Sequence, residues 1–301
     1  MRIGISVCSS YQMTDPREGA QYMVERARAA RHANLDMLFV GDHHATPSHY
    51  FQNTPMLGRM LAEWNANPAG ALYLLPLWNP VLLAEQIGTL ASIMKGRFIL
   101  QCALGGSHKQ SLAMGVNPKD RAPMFEDALA IMKDLWAGKT VDHDRFWPIA
   151  NAKISPVPSE PVEVWVGAVA PAAINRTARV ADGWLGQPAL GLLEARNQAN
   201  QYRQACAEHG TNPSAVAVRR DIFIGESSQE ARRVKDQYMA KGYRGFAEDA
   251  FMAGSVAEIA EQMMRFAESG FTDIIVRNMS SDQGQALSTI ERLAEVKVQI
   301  R

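Results

Sequence analysis

Apolar positions along this chain follow two rhythms that alternate from end to end. Short aliphatic runs predict strands at Arg2–Val7, Met37–Val40, Gly70–Leu74, Arg97–Ala103, Val162–Val166, Gly183–Leu185, Val216–Ile224 and Asp273–Arg277. Between them, apolar residues recur at spacings of three and four. That rhythm predicts helices at Arg17–Ala33, Thr54–Trp64, Val81–Met94, Arg121–Trp136, Ala172–Val180, Leu192–His209, Val256–Ser269 and Gln283–Val296, with a further helix at Gln229–Lys241. Strand then helix, repeated about eight times, predicts an α/β chain closed into a (β/α)8 TIM barrel with inserted loops, one domain over residues 1–301. An open doubly wound sheet shares the alternation, but no G-x-G-x-x-G follows any predicted strand.

Local punctuation agrees. Asp15-Pro16 and Asn79-Pro80 put proline at helix starts, where a missing N–H costs little. Ser255 and Glu258 have capping-box spacing, and Gly138, Gly210 and Gly270 follow helical stretches. The segment from Thr140 to Pro161 carries four prolines, at 148, 156, 158 and 161, and reads as an inserted loop or hairpin.

Composition narrows the partners. Of 301 residues 47% are hydrophobic, and 31 basic side chains balance 31 acidic ones. Zero net charge without a long basic cluster argues against nucleic acid, since phosphate-backbone binding relies on clustered cations. The longest apolar run, Ala69–Trp78, is about half of the ~20 residues a spanning helix needs, so no membrane segment is expected. Cys8, Cys102 and Cys206 are scattered and lack C-x-x-C spacing, which fits a reducing compartment, here the cytoplasm.

In a barrel, chemistry gathers where the strands end. After the second strand stands Gly41-Asp42-His43-His44, a carboxylate beside two imidazoles. These could transfer protons, serve structural roles or bind a metal, although neighbours on extended chain point to opposite sides. The third strand is apolar throughout and reads as core. The fourth runs into Gly105-Gly106, either a tight turn or a close approach to a ligand, and Cys102 there reads as a buried small hydrophobe rather than a nucleophile. Gly167-Ala168-Val169-Ala170-Pro171 leads into a helix whose free N–H groups could hold an anion or water. Arg277, ending the last strand, could meet an anionic ligand or pair with an acid at the rim.

Taken together, LFVGDHH (38–44), LLPLWNPVLLAEQIGTLASIMKGRF (74–98), FEDALAIMKDLWAG (125–138), PVEVWVGAVAPAAINRTARVADGWL (161–185) and GSVAEIAEQMMRFAESGFTDIIV (254–276) resemble the bacterial luciferase-like monooxygenase family in order and spacing. The resemblance implies a barrel, commonly a homodimer, that binds FMN or a deazaflavin at its mouth. It implies a catalytic group at His43, with Asp42 and His44 beside it. For the cofactor ring it implies contacts from Ala71, Leu72 and Tyr73, with a non-prolyl cis peptide in that stretch. Further cofactor contacts would come from Cys102, Gly105 and Gly106, and phosphate contacts from Gly167 and Ala168. Bacterial luciferase itself has a phosphate-binding arginine where Leu104 stands here. Arg277, Lys109 or Arg176 would then supply the cation.

The resulting expectation is an FMN-dependent monooxygenase that uses reduced flavin from a separate reductase and O2 on a small organic substrate. The alternatives are deazaflavin-dependent hydride transfer and a non-catalytic flavin-binding barrel. A metal-dependent hydrolase is a third class. Loops after the second, fourth and sixth strands and the segment Phe223–Met252, with Tyr243, Phe246 and Phe251, predict a fairly neutral, aromatic substrate pocket suited to an apolar molecule.

Overall fold

The computed structural model describes residues 1–12, 15–64, 66–246 and 248–300. Its strands are β1 (Arg2–Val7), β2 (Met37–Val40), β3 (Ala69–Leu74), β4 (Phe98–Ala103), β5 (Val141–His143), β6 (Ile149–Ala152), β7 (Glu163–Gly167), β8 (Gly183–Gly186), β9 (Ala215–Ile224), β10 (Phe251–Gly254) and β11 (Asp273–Asn278). Eight of them pair in parallel around a closed ring, β1-β2-β3-β4-β7-β8-β9-β11 and back to β1, with helices outside. This is the (β/α)8 barrel expected from the alternation. The proline-rich insertion contains the antiparallel hairpin β5–β6. β10 was not foreseen. It pairs with the upper half of β9, which outruns β8 and leaves an edge free there.

The predicted caps form as written. Asp15 and Asn79 side chains accept from the first-turn amides of helices that begin with Pro16 and Pro80, and Ser255 with Glu258 closes a reciprocal capping box. No helix among the described residues is long and apolar enough to cross a membrane.

Strand alternation sends one set of side chains outward to the helices and the other into the barrel. The inward set is a plug of Met37, Phe39, Ile99, Trp165, Ala217 and Ile275. Glycines make room for it. A Cβ on Gly70 would lie 1.8 Å from the Ile99 carbonyl oxygen, and one on Gly183 would lie 2.7 Å from the Trp165 ring. Large and small residues thus interlock until the floor is solid, and any ligand must sit above it. At the base Arg2 pairs with buried Asp273 at 2.6 Å, tying the first strand to the last.

Candidate active site

β2 ends at Val40, and the chain then runs extended through Asp42, His43 and His44. Asp42 is buried beside the end of β3. Its Oδ2 accepts the Leu74 amide at 2.8 Å and the Trp78 indole N–H at 2.9 Å, while His44 Nε2 lies 3.0 Å from Oδ1. Oδ2 thus holds the chain after β2 against the end of β3, while Oδ1 lies close to His44 without making a hydrogen bond. His44 faces that same side, edge-on to Trp78.

His43 faces the other way, into a cavity of about 370 Å³ at the barrel mouth. Its Nδ1 lies 3.0 Å from Gln110 Nε2, and the same amide nitrogen donates to the His44 carbonyl at 3.0 Å. The carbonyl contact demands N–H there, so the amide's second hydrogen goes to Nδ1 and the proton of the neutral ring resides on Nε2. Nε2 has no partner among the described residues. The two adjacent histidines thus separate, one to packing and one to the cavity, as extended backbone requires.

The expected cofactor residues divide in the same way. Leu72 lines the cavity, whereas Ala71 and Tyr73 point outward, with the Tyr73 hydroxyl 2.9 Å from Thr54 Oγ1 under a helix. Cys102 also faces outward and is fully buried, and burial pushes its thiol up. These three side chains are removed from the mouth by parity. The peptide bonds from Ala71 to Tyr73 are trans, a correction to the expected cis bond, and the cis peptide among the described residues is Ser155–Pro156. A regular ladder explains the trans geometry. Ala71, Leu72 and Tyr73 pair in register with Leu100, Gln101 and Cys102, while Asn53 and Asp42 take the Leu72 carbonyl and the Leu74 amide beyond the end of β2.

The glycines sort by what they face. Gly105 has φ +75° and its carbonyl accepts from Arg121, so it serves the turn. Gly106 and Gly167 have ordinary φ. A Cβ on Gly106 would meet nothing, and one on Gly167 would meet Ala103 Cβ at 3.6 Å, so internal packing does not demand glycine at either. The Ala168 carbonyl accepts the Trp184 indole at 2.9 Å, which fixes that turn ahead of the uncapped helix Pro171–Val180. Arg176 is turned away toward Glu126, at 3.4 Å. Arg277 lines the His43 cavity and donates to Cys8 Sγ at 3.2 Å.

Several site residues were not anticipated. Gln101 sits on the inward face of β4 two residues above Ile99, 4% exposed, and its Nε2 has no partner among the described residues. Arg219, Arg244 and a group of hydroxyls from Ser6, Ser9, Thr46 and Ser48 line the cavity. The expectation of a neutral aromatic pocket is thereby overturned. Tyr243, Phe246 and Phe251 pack on one another, while strand parity turns Arg219 and Arg277 inward. Among the described residues no cluster of His, Cys, Asp and Glu is disposed to hold a metal ion.

A parallel barrel whose plugged floor leaves a polar cavity at the strand ends defines a mouth-site barrel enzyme. The model for luciferase-like monooxygenases matches residues 1–250, and the chain belongs to that family of flavin-type oxidoreductases. It is 26% identical to an F420-dependent glucose-6-phosphate dehydrogenase of Beutenbergia cavernae over 98% of this chain and 96% of that protein. Among solved structures, the oxygenating constituent of 3,6-diketocamphane monooxygenase from Pseudomonas putida, in complex with FMN, superimposes with a TM-score of 0.83 at 18% identity, covering 100% of this chain and 99% of that one. An F420-dependent secondary alcohol dehydrogenase in complex with an F420–acetone adduct gives 0.82 at 18% identity, with the same coverage.

Proposed function

We propose that the protein is a deazaflavin-dependent oxidoreductase that transfers hydride to or from a small polar substrate. The observation that carries this reading is His43, held by Gln110 with its Nε2 free in a cavity rimmed by hydroxyls and guanidinium groups. Oxygen activation on a reduced flavin calls for a dry, apolar pocket, and this lining is the opposite. The near full-length relative named above is a deazaflavin-dependent dehydrogenase.

The mouth fits a flat heteroaromatic ring with a phosphate tail. Leu72 offers an apolar surface, the unpartnered Gln101 amide offers a donor for a ring carbonyl, and Gly106 and Gly167 leave backbone bare where a ligand approaches. The amides leading into the helix Pro171–Val180 suit the phosphate. When bound, the cofactor supplies the hydride acceptor or donor. His43 holds its Nε2 proton toward the substrate oxygen, polarising a carbonyl or stabilising the alkoxide formed from it, as a neutral imidazole can. Asp42 and His44 position that ring by fixing the chain that carries it.

FMN-dependent monooxygenation, with a separate reductase, is the second reading, and the shared fold of the FMN-bound structure is what favours it. Titration of the purified protein with each cofactor decides between them. The expected result is deazaflavin binding with FMN weaker, and a His43→Ala variant that binds cofactor normally but turns over roughly 10²–10⁴-fold more slowly. If neither cofactor binds below roughly 100 μM, the flavin reading fails. A protein that shows no turnover with either cofactor, and whose His43→Ala variant keeps cofactor binding and biological effect intact, would instead be a non-catalytic binding barrel.

A further inference from the structure

Three guanidinium groups converge on one wall of the His43 cavity, and their counter-charges do not match them. Arg219 and Asp221 point inward from β9, Arg277 points inward from the adjacent β11, and Arg244 reaches in from the segment between β9 and β10. Asp221 is fully buried and is already served by the Tyr243 hydroxyl at 3.0 Å and by Arg244 at 2.9 Å. Arg219 Nη2 lies 3.6 Å from its other oxygen, an ion pair too long for a hydrogen bond, so Arg219 Nε and Nη2 and Asp221 Oδ1 are all buried without a hydrogen-bond partner among the described residues. The Arg277 guanidinium donates to the Cys8 sulfur, a weak acceptor while the thiol is protonated. Asp42, the other carboxylate on the wall, gives Oδ2 to Leu74 and Trp78 and has Oδ1 beside His44, with no arginine at ion-pair distance.

Buried charges are ordinarily paired, and here Arg219 and Arg244 share one carboxylate while Arg277 has none at ion-pair distance, which leaves room for an anionic ligand. The strain at the rim points the same way. Arg244 has φ 51°, a left-handed conformation that side-chain-bearing residues rarely adopt, and is held there by Asp221 and by stacking 4.6 Å over the Phe246 ring. Burial, resisted by Asp221 but reinforced by the Arg277 and Arg244 charges, pushes the Arg219 guanidinium down to about 10, still charged at neutral pH.

We propose that Arg219 and Arg277, with Arg244 at the rim, form an oxyanion subsite that holds a carboxylate, sulfonate or phosphate-monoester group of the substrate and aims its reactive end at His43. The hydride chemistry at that end rests on the function proposed above, whereas the anion subsite stands without it. Two planar forks from adjacent strands suit a multidentate oxyanion better than a halide. The cofactor's phosphate is the competing source of the same chemistry. Arg277 lies three strands around the ring from Gly167, roughly 14 Å along the wall at ordinary strand spacing, which assigns the anion to the substrate side.

The test titrates the intact protein with inorganic phosphate by calorimetry at constant ionic strength, and separately with FMN and the deazaflavin. Wild type is expected to bind phosphate, and Arg277→Gln and Arg219→Met to weaken it at least tenfold while cofactor affinity stays within threefold. Arg219→Met removes one partner of the Arg219–Asp221 ion pair, so its folding is checked by circular dichroism before the titration. Should that variant not fold, Arg244→Gln on the rim segment is expected to weaken phosphate at least threefold. Absence of phosphate binding in wild type, or unchanged binding in the variants, overturns the subsite. So does a tenfold loss of cofactor affinity in Arg277→Gln, which would give the anion to the cofactor. If phosphate binds as expected but no cofactor does, the subsite stands and the flavin reading falls.

Discussion

Asp42 offers the sharpest separation of positioning from proton transfer. Its side chain is fully buried, and the Leu74 amide and the Trp78 indole both converge on Oδ2. In Asp42→Ala two buried donors lose a charged acceptor at about 1–3 kcal/mol each, so about 2–6 kcal/mol of stability is lost. In Asp42→Asn an amide oxygen replaces Oδ2 and still accepts both hydrogens, and the amide N–H2 can donate to His44 Nε2. Only the charge-assisted part disappears, about 1–2 kcal/mol. Urea unfolding followed by tryptophan fluorescence and by circular dichroism measures both variants. With a slope of about 3 kcal/mol/M, the alanine midpoint falls by roughly 0.7–2 M and the asparagine midpoint by roughly 0.3–0.7 M. Turnover in Asp42→Asn should drop less than tenfold, because His43 keeps its place and its Gln110 partner. An asparagine variant that folds well yet loses activity as deeply as His43→Ala would put Asp42 in the proton path and refute the reasoning. An alanine midpoint unmoved by 0.2 M would refute the clamp itself.

Two further outcomes follow from the same geometry. Burial alone would raise the Cys8 thiol, but the charge and hydrogen bond of Arg277 outweigh it and bring the group below its ordinary value of 9.0. A lowered value means more thiolate at neutral pH, so iodoacetamide at pH 7.5 should label partly buried Cys8 ahead of fully buried Cys102 and Cys206, and Arg277→Gln should slow that labelling; an alkylation midpoint at or above 9.0 would contradict this. Gly70→Ala drives a methyl group against the Ile99 backbone and should cost more than about 4 kcal/mol, a fall in melting temperature of about 8 °C or more, whereas Gly106→Ala should be nearly neutral; equal melting of the two would discredit the interlocked floor.

The eight barrel strands were legible because a strand buried on both faces is a nearly continuous apolar run, and helices of the other periodicity frame each one. That same continuity hid the site. In AGALYL nothing distinguishes the face of Gly70 and Leu72 from that of Ala71 and Tyr73, so the residues expected to touch a ligand included two that face the helices. Parity is decided by neighbouring strands, which a single segment does not reveal. In the stretch VAVRRDIFI two adjacent arginines sit inside an apolar strand, and period two guarantees that one enters the barrel. Arg219 does, while Arg220 lies outside over the Phe266 ring at 4.6 Å. A polar residue within a core strand was the available signal, and it marks Gln101 as well.

β1 has β2 on one side and β11 on the other, and Arg2 meets Asp273 across 271 positions of chain. During synthesis at about 5–20 residues per second, the first strand therefore waits roughly 15–50 s for its second neighbour to exist. Cys8 and Arg277 meet across this closing seam, and His43 follows the strand next to it. The pocket consequently has no precursor on the nascent chain, and its appearance reports that the ends of the barrel have met. A ligand that bridges the seam would act as a late fastener for folding as well as a reactant.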